Sequence, residues 1–195
     1  MYRKIPVVLV YARLVMGLSA LGVYLVQPTP ALCYLMVALL LFGLITDIFD
    51  GILARRWGVA TPKLRRLDST VDLIFWLCLL LGILYLRPAF LTANALPIGL
   101  VVGLEALTYV VSYVRFRKEI ALHTFFAKGW TLLLAATLVQ LLLNGEVGLL
   151  FWVCISAGIL SRLEILAILC TLPVWATDIP SLYHAVQLRQ SKLLP

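Results

Sequence analysis

The sequence predicts an all-α fold: a polytopic integral membrane protein with six transmembrane helices in one membrane domain, residues 1–195. Three observations predict it. Of 195 residues, 63% are hydrophobic, and mean hydropathy is +1.05, whereas soluble domains are about half apolar. So short a chain cannot hide that excess inside, so lipid must cover part of its surface. Apolar stretches of bilayer-spanning length, about 20 residues, follow one another with short loops and leave no room for a second soluble domain. Basic residues gather at the ends of these stretches.

The first predicted span runs from about Pro6 to Val26 and ends where Pro28 and Pro30 break the pattern. The second runs from about Ala31 to Arg55. The third begins near Asp68 and ends near Leu86, before Arg87 and Pro88. The fourth covers Asn94 to Tyr113 and the fifth Thr124 to Leu143, with a turn at Asn144, Gly145 and Glu146. The sixth covers Gly148 to Leu172, where Pro173 stops it. The remaining tail, Ile179 to Gln190, is amphipathic, and two placements stay open: within the headgroup layer or in solvent.

The net charge is +7. On a soluble chain this would suggest nucleic acid, but here the basic residues mark topology and anionic headgroups, so no nucleic-acid partner is expected. Arg3, Lys4, Arg55, Arg56, Lys63, Arg65, Arg66, Arg115, Arg117, Lys118, Lys128, Arg189 and Lys192 fall on one side, and little more than Arg87 on the other. The positive-inside rule then places both termini in the cytoplasm. The cysteines, Cys33, Cys78, Cys154 and Cys170, each lie in an apolar run without a CxxC pair, which reads as small buried hydrophobes rather than a zinc site. The N-terminus has no clear small-residue cleavage site and reads as the first span.

Acids are costly at membrane depth and usually mark function there. Of nine acidic residues, four fall between positions 47 and 72. Asp47, Asp50, Gly51 and Ala54 stand at i, i+3, i+4 and i+7, one face of a helix; Asp68 and Asp72 stand at i and i+4, again one face. The second span arrives at the surface from which the third leaves, so two carboxylates from each can converge. Four such groups repel unless cations join them, and hard oxygen ligands suit Mg²⁺, Mn²⁺ or Ca²⁺. A two-metal site of the phosphoryl-transfer type is one arrangement they allow. Gly51 and Ala54 leave room for a bulky ligand, and Arg55 offers a fork for phosphate. Salt bridging to the loop arginines is the plainer alternative.

Asp47, Asp50, Gly51, Ala54 and Arg55, followed by Asp68 and Asp72, resemble the signature of the CDP-alcohol phosphotransferase (CDP-alcohol phosphatidyltransferase) family, D-x2-D-G-x2-A-R-x8-G-x3-D-x3-D. Both gaps are kept. One position departs: Leu64 stands where the pattern has its second glycine. A narrower cytidine pocket, a side chain turned outward and altered donor use are all open there. The resemblance implies an enzyme of phospholipid biosynthesis at the cytoplasmic face of the cell inner membrane. It transfers a phosphatidyl group from CDP-diacylglycerol to an alcohol and releases CMP. It implies that Asp47, Asp50, Asp68 and Asp72 bind Mg²⁺ or Mn²⁺, one ion or two. Asp72 would also be the catalytic base, and Gly51, Ala54 and Arg55 would hold the CDP moiety. It also implies a homodimer embedded in membrane lipid.

The basic loop from Arg115 to Lys128 suits a phosphorylated acceptor such as glycerol phosphate or inositol phosphate. Arg117 and Lys128 are the candidate acceptor-binding residues, although topological charge explains the loop equally well. Choline and ethanolamine rank lower, and serine stays possible. His123 reads as a local hydrogen-bond partner, and Arg13, Glu105, Arg162 and Glu164 read as structural. Two competing classes remain: a cation transporter using the aspartates, and an inactive homologue for which Leu64 is the hint.

Overall fold

Helix boundaries follow the prolines and one threonine cap. The protein is described by a computed structural model covering residues 5–27, 29–57, 61–118, 120, 122 and 124–193, with the backbone alone for residues 24, 50, 54, 55, 62, 63, 65, 66, 69, 192 and 193. Helix α1 spans Ile5–Leu21 and runs into a 3-10 turn at Gly22–Leu25. It is followed by α2, Pro30–Arg56; α3, Pro62–Leu86; α4, Pro88–Ala93; α5, Ala95–Phe116; α6, Phe125–Asn144; α7, Leu149–Thr171; and α8, Leu182–Leu193. No strand occurs among the described residues, so the all-α class is observed.

Pro30, Pro62 and Pro88 each open a helix, where a missing N–H costs nothing. At α3 the Thr61 side chain accepts a hydrogen bond from the Leu64 backbone N–H at 3.2 Å, satisfying one of the orphan donors of the first turn. This threonine–proline start puts the beginning of α3 at Pro62 rather than near Asp68. The aspartates therefore lie inside the helix, past its first turn. Glycine ends the sixth helix as expected: Gly145 has φ 77°, and its N–H donates to the Leu141 carbonyl at 2.9 Å.

Four stretches are long and apolar enough to cross a membrane among the described residues: Pro30–Leu53, Ala95–Phe116, Phe125–Asn144 and Leu149–Thr171. The other two expected spans appear as shorter apolar helices, Ile5–Leu21 and Thr70–Leu86. The first is shortened because the chain tightens into the 3-10 turn at Gly22. The second belongs to a helix of 25 residues, α3, whose charged residues lie in its opening turns.

The chain divides into two compact units, Met1–Leu91 with Leu138–Glu146, and Thr92–Thr137 with Val147–Pro195. In the first, α1 packs on both α2 and α3. Its buried face carries Pro6, Val10, Arg13, Gly17 and Ala20, the spacing of one helical stripe. Small residues let the backbones approach, and the contacts fall into layers. Gly17 and Gly43 both abut Phe75: a Cβ on Gly17 would lie 3.0 Å from the Phe75 Cα, and one on Gly43 would lie 2.0 Å from the ring. One layer along, Gly82 meets Met36 and the Ala20 carbonyl. The residue order in these layers makes α1 and α3 run one way and α2 the other. Beyond them, Arg87 donates to the Leu142 carbonyl at 2.8 Å.

In the second unit α7 packs on α5 and α8. Ile168, Leu172, Ile179 and Ala185 form a core against Phe116, Leu122 and Ala176. The amphipathic tail thus forms a helix held through Ala185. The segment before it is tied down by the Phe125 N–H, which donates to the Pro180 carbonyl at 3.1 Å.

Gly43→Ala is expected to cost about 1–3 kcal/mol, since the buried Phe75 ring must move aside. The readout is a lower thermal midpoint in detergent. Gly99→Ala, whose Cβ would meet nothing within 4 Å, is the control and should hold or raise the midpoint.

Candidate functional site

The layer of the first unit next to Phe75 is ionic. Asp47 lies one helical turn from Gly43 on α2. On α3, Asp72 lies three residues before Phe75, with Asp68 a turn further. On α1, Arg13 lies one turn before Gly17. The packing that seats Phe75 between two glycines therefore brings these four charged residues together. Oxygens of Asp47, Asp68 and Asp72 all lie within 4.8 Å of one another. At an effective dielectric near 20 each such pair repels by roughly 3–4 kcal/mol. Three pairs approach the net stability of a whole domain, about 5–15 kcal/mol. A cation among them relieves that repulsion.

Arg13 supplies one. Its Nη1 donates to Oδ1 of Asp68 at 3.0 Å and to Oδ1 of Asp72, and lies 3.3 Å from Oδ1 of Asp47. One nitrogen with two hydrogens cannot donate well to three acceptors, so its third contact is an ion pair. The arginine side chain is 1% exposed, whereas Asp47, Asp68 and Asp72 are 41%, 27% and 32% exposed. The guanidinium forms a dry floor and the carboxylates an accessible rim. Arg13, structural by its sequence context, is thus part of this cluster. The signal that could have found it was charge balance: a lone arginine in an apolar helix needs acids, and residues 1–91 contain no acids but Asp47, Asp50, Asp68 and Asp72.

The three oxygens also fit a hard divalent ion. Oxygens on opposite sides of such an ion stand about 4–5 Å apart, at metal–oxygen distances of about 2.1–2.5 Å. The donor set is carboxylate only, as Mg²⁺, Mn²⁺ or Ca²⁺ prefer.

The remaining predicted residues fall as follows. Asp50, Ala54 and Arg55 lie on α2 with Gly51, one face by register, and their side chains are outside the described residues. Leu64 sits in the first turn of α3 with its N–H engaged by Thr61. Its backbone is helical and does not require glycine, so its consequence is one of side-chain bulk. Arg117 and Lys128 belong to the second unit, and both are exposed. Arg117 ends α5 in the left-handed conformation, φ 53°, with its guanidinium 5.9 Å from the Tyr113 ring. The other loop cations are used locally: Arg115 donates to the Leu172 carbonyl at 3.2 Å, and Lys118 lies 4.6 Å from the Trp175 ring. His123 is outside the described residues.

Arg162 and Glu105 pair with each other at 2.8 Å. Arg162 also stacks on Trp130 at 4.6 Å, a cation–π contact. Trp130 is in turn held by its indole N–H, which donates to the Cys154 carbonyl at 3.1 Å, and by the notch at Gly158, where a Cβ would come within 2.7 Å of that nitrogen. The expectation that these charges are structural agrees with this pairing.

The sequence profile of one family, CDP-alcohol phosphatidyltransferase, matches residues 3–177. The chain therefore belongs to the CDP-alcohol phosphatidyltransferase family. Its members are transferases of phosphatidyl groups in phospholipid synthesis, and the apolar helices agree with a membrane enzyme of this kind. No curated protein and no solved structure matches the chain.

Arg162→Met should lower stability because it strands Glu105, whose side chain is 34% exposed; leaving such a part-buried charge unpaired costs about 1–3 kcal/mol. Glu105→Gln combined with Arg162→Met should cost less than the two single changes added. A double-mutant cycle on thermal midpoints in detergent measures this.

Proposed function

We propose that this protein is an integral-membrane phospholipid synthase that transfers the phosphatidyl group of CDP-diacylglycerol to a phosphorylated alcohol, glycerol phosphate or inositol phosphate, and releases CMP. The convergence of Asp47, Asp68 and Asp72 from two helices onto one point, in a chain of this family, carries the reading. On this reading the chain is one membrane domain of six spans, forms a homodimer, and keeps both termini and the site at the cytoplasmic face of the inner membrane.

Asp47, Asp50, Asp68 and Asp72 hold Mg²⁺ or Mn²⁺, one ion or two. When bound, the metal offsets the charge that builds on the phosphoryl oxygens. Gly51, Ala54 and Arg55 hold the CDP moiety, the small residues leaving space and Arg55 meeting a phosphate. Asp72 takes the proton of the acceptor hydroxyl, which is a poor nucleophile until a base accepts it. The freed oxygen attacks the β-phosphorus, its bond to CMP breaks, and CMP leaves with the electron pair. Arg117 and Lys128, both exposed, bind the acceptor's phosphate. Leu64 adds bulk beside the nucleotide and trims the space the donor's base can use.

The test is CMP release by purified protein from CDP-diacylglycerol with a panel of alcohols, with lipid products identified by mass spectrometry. Release is expected with Mg²⁺ or Mn²⁺ and should vanish with EDTA; no release with any alcohol rejects the reading. Asp72→Asn should lower kcat by at least about 10²-fold, the usual contribution of a positioned base, and a near-normal rate would reject that role. Lys128→Ala should raise KM for a phosphorylated acceptor and leave KM for CDP-diacylglycerol unchanged.

A further inference from the structure

Helix α8 lies beyond residues 3–177, the segment that matches the family profile, and phosphatidyl transfer gives it no task. Its seat is narrow. Ala185 is fully buried and packs with Ile168 and Leu172, at the end of α7, and with Ile179. Helix α7 is long and apolar enough to cross a membrane, so its end falls at the level of the headgroups. A helix fastened there by its small central residue is held at that level too.

The helix is wider than its seat. By register, Leu182 and Val186 flank Ala185 on one side and Leu188 flanks it on the other. Each of the three is more than a third exposed, so the margins of this apolar stripe overhang the protein. The opposite face is polar. His184, Gln187, Gln190 and Ser191 are exposed there. Gln187 donates to the Tyr183 hydroxyl at 2.7 Å, and the His184 ring lies 2.9 Å from the Ser181 hydroxyl. In solvent the apolar margins would stay wet. On a bilayer surface they sink into the acyl boundary while the polar face keeps its water.

Charge selects lipid over another protein as the partner of these margins. From Ile179 to Pro195 the chain has no acid, but it has His184, Arg189 and Lys192. Arg189 follows Ala185 by four residues and so stands on the apolar side of the helix, not the polar one. A cation there suits lipid phosphates, with its stem along the acyl chains. The neighbouring surface of the same unit has the same character: Val174 is exposed, and Lys118 lies 4.6 Å from the Trp175 ring.

We propose that α8 lies flat in the headgroup layer and binds anionic phospholipid through Arg189, so that the docking of α8 responds to the anionic lipid content of the membrane. This rests on the chain being a membrane protein and not on the chemistry of the aspartates. CMP release is not the readout, so the two readings fail separately.

The experiment places nitroxide labels at Val186→Cys, Leu188→Cys and Gln187→Cys in the full chain carrying Cys170→Ser, since the other three cysteines are buried. The protein is reconstituted in vesicles of phosphatidylcholine, with or without phosphatidylglycerol. Electron paramagnetic resonance then compares label access to oxygen, which partitions into lipid, with access to a water-soluble nickel chelate. Oxygen access should dominate at positions 186 and 188, and nickel access at 187. Leu182→Cys serves if either of the first two variants does not fold. Phosphatidylglycerol should raise the oxygen-to-nickel ratio at 186. Arg189→Gln should lower that ratio by up to about fivefold in phosphatidylglycerol vesicles, the effect of one surface cation, and leave it unchanged in phosphatidylcholine alone. Nickel access at 186 and 188 equal to that at 187 means a solvated tail and overturns the proposal. Low access to both reagents at 186 and 188 means a protein cover and also overturns it. Equal ratios in the two kinds of vesicle overturn the choice of anionic lipid.

Discussion

The contact between Arg13 and three aspartates is the constraint on which the first unit is built. A cation in the middle of an apolar helix is tolerated only against acids, and the acids repel one another unless a cation joins them. Each half offsets a cost of the other. The requirement fixes α1 against α2 and α3 at one height, and the next layer repeats the constraint by shape: Phe75 fills the gap between Gly17 and Gly43, with room for no Cβ on Gly43. Charge and steric fit thus set the same register. A slide of one helix past its neighbours would strand a charge and bury a ring in backbone at once.

On the proposed reading this arrangement would also serve phosphoryl chemistry. The carboxylates are between about a quarter and two fifths exposed while the guanidinium beside them is closed off. Preorganised charge aimed at the reacting centre usually makes the largest contribution to catalysis. Here the organisation comes from helix packing rather than loops, and rigid elements hold such groups more accurately. Leu64 belongs to the same logic. It lies in a capped helical turn, so its departure from the family pattern leaves the backbone and the aspartate register untouched.

The second unit solves the buried-charge problem by a different local device. Among the described residues Arg162 pairs with Glu105 and stacks on the face of Trp130. The basic loop after α5 divides its cations between two uses. Arg115 and Lys118 anchor the loop on the α7 end and the Trp175 ring. Arg117 and Lys128 stay exposed.

Much of this was legible in the sequence because it depends on short-range rules. Apolar excess and stretch length determined an all-helical membrane chain, and the i, i+3, i+4 spacing determined which aspartates share a face. The start of α3 was written there too, in Thr61 and Pro62, but the pull of the acidic motif hid that cap. What the tertiary structure alone decided is the third wall of the site. Arg13 is separated from Asp72 by 59 positions, and no local pattern joins them. Only the packing of α1 across α2 and α3, set by the fit of Phe75 to two glycines, turns a lone arginine into the cation at the centre of the aspartates.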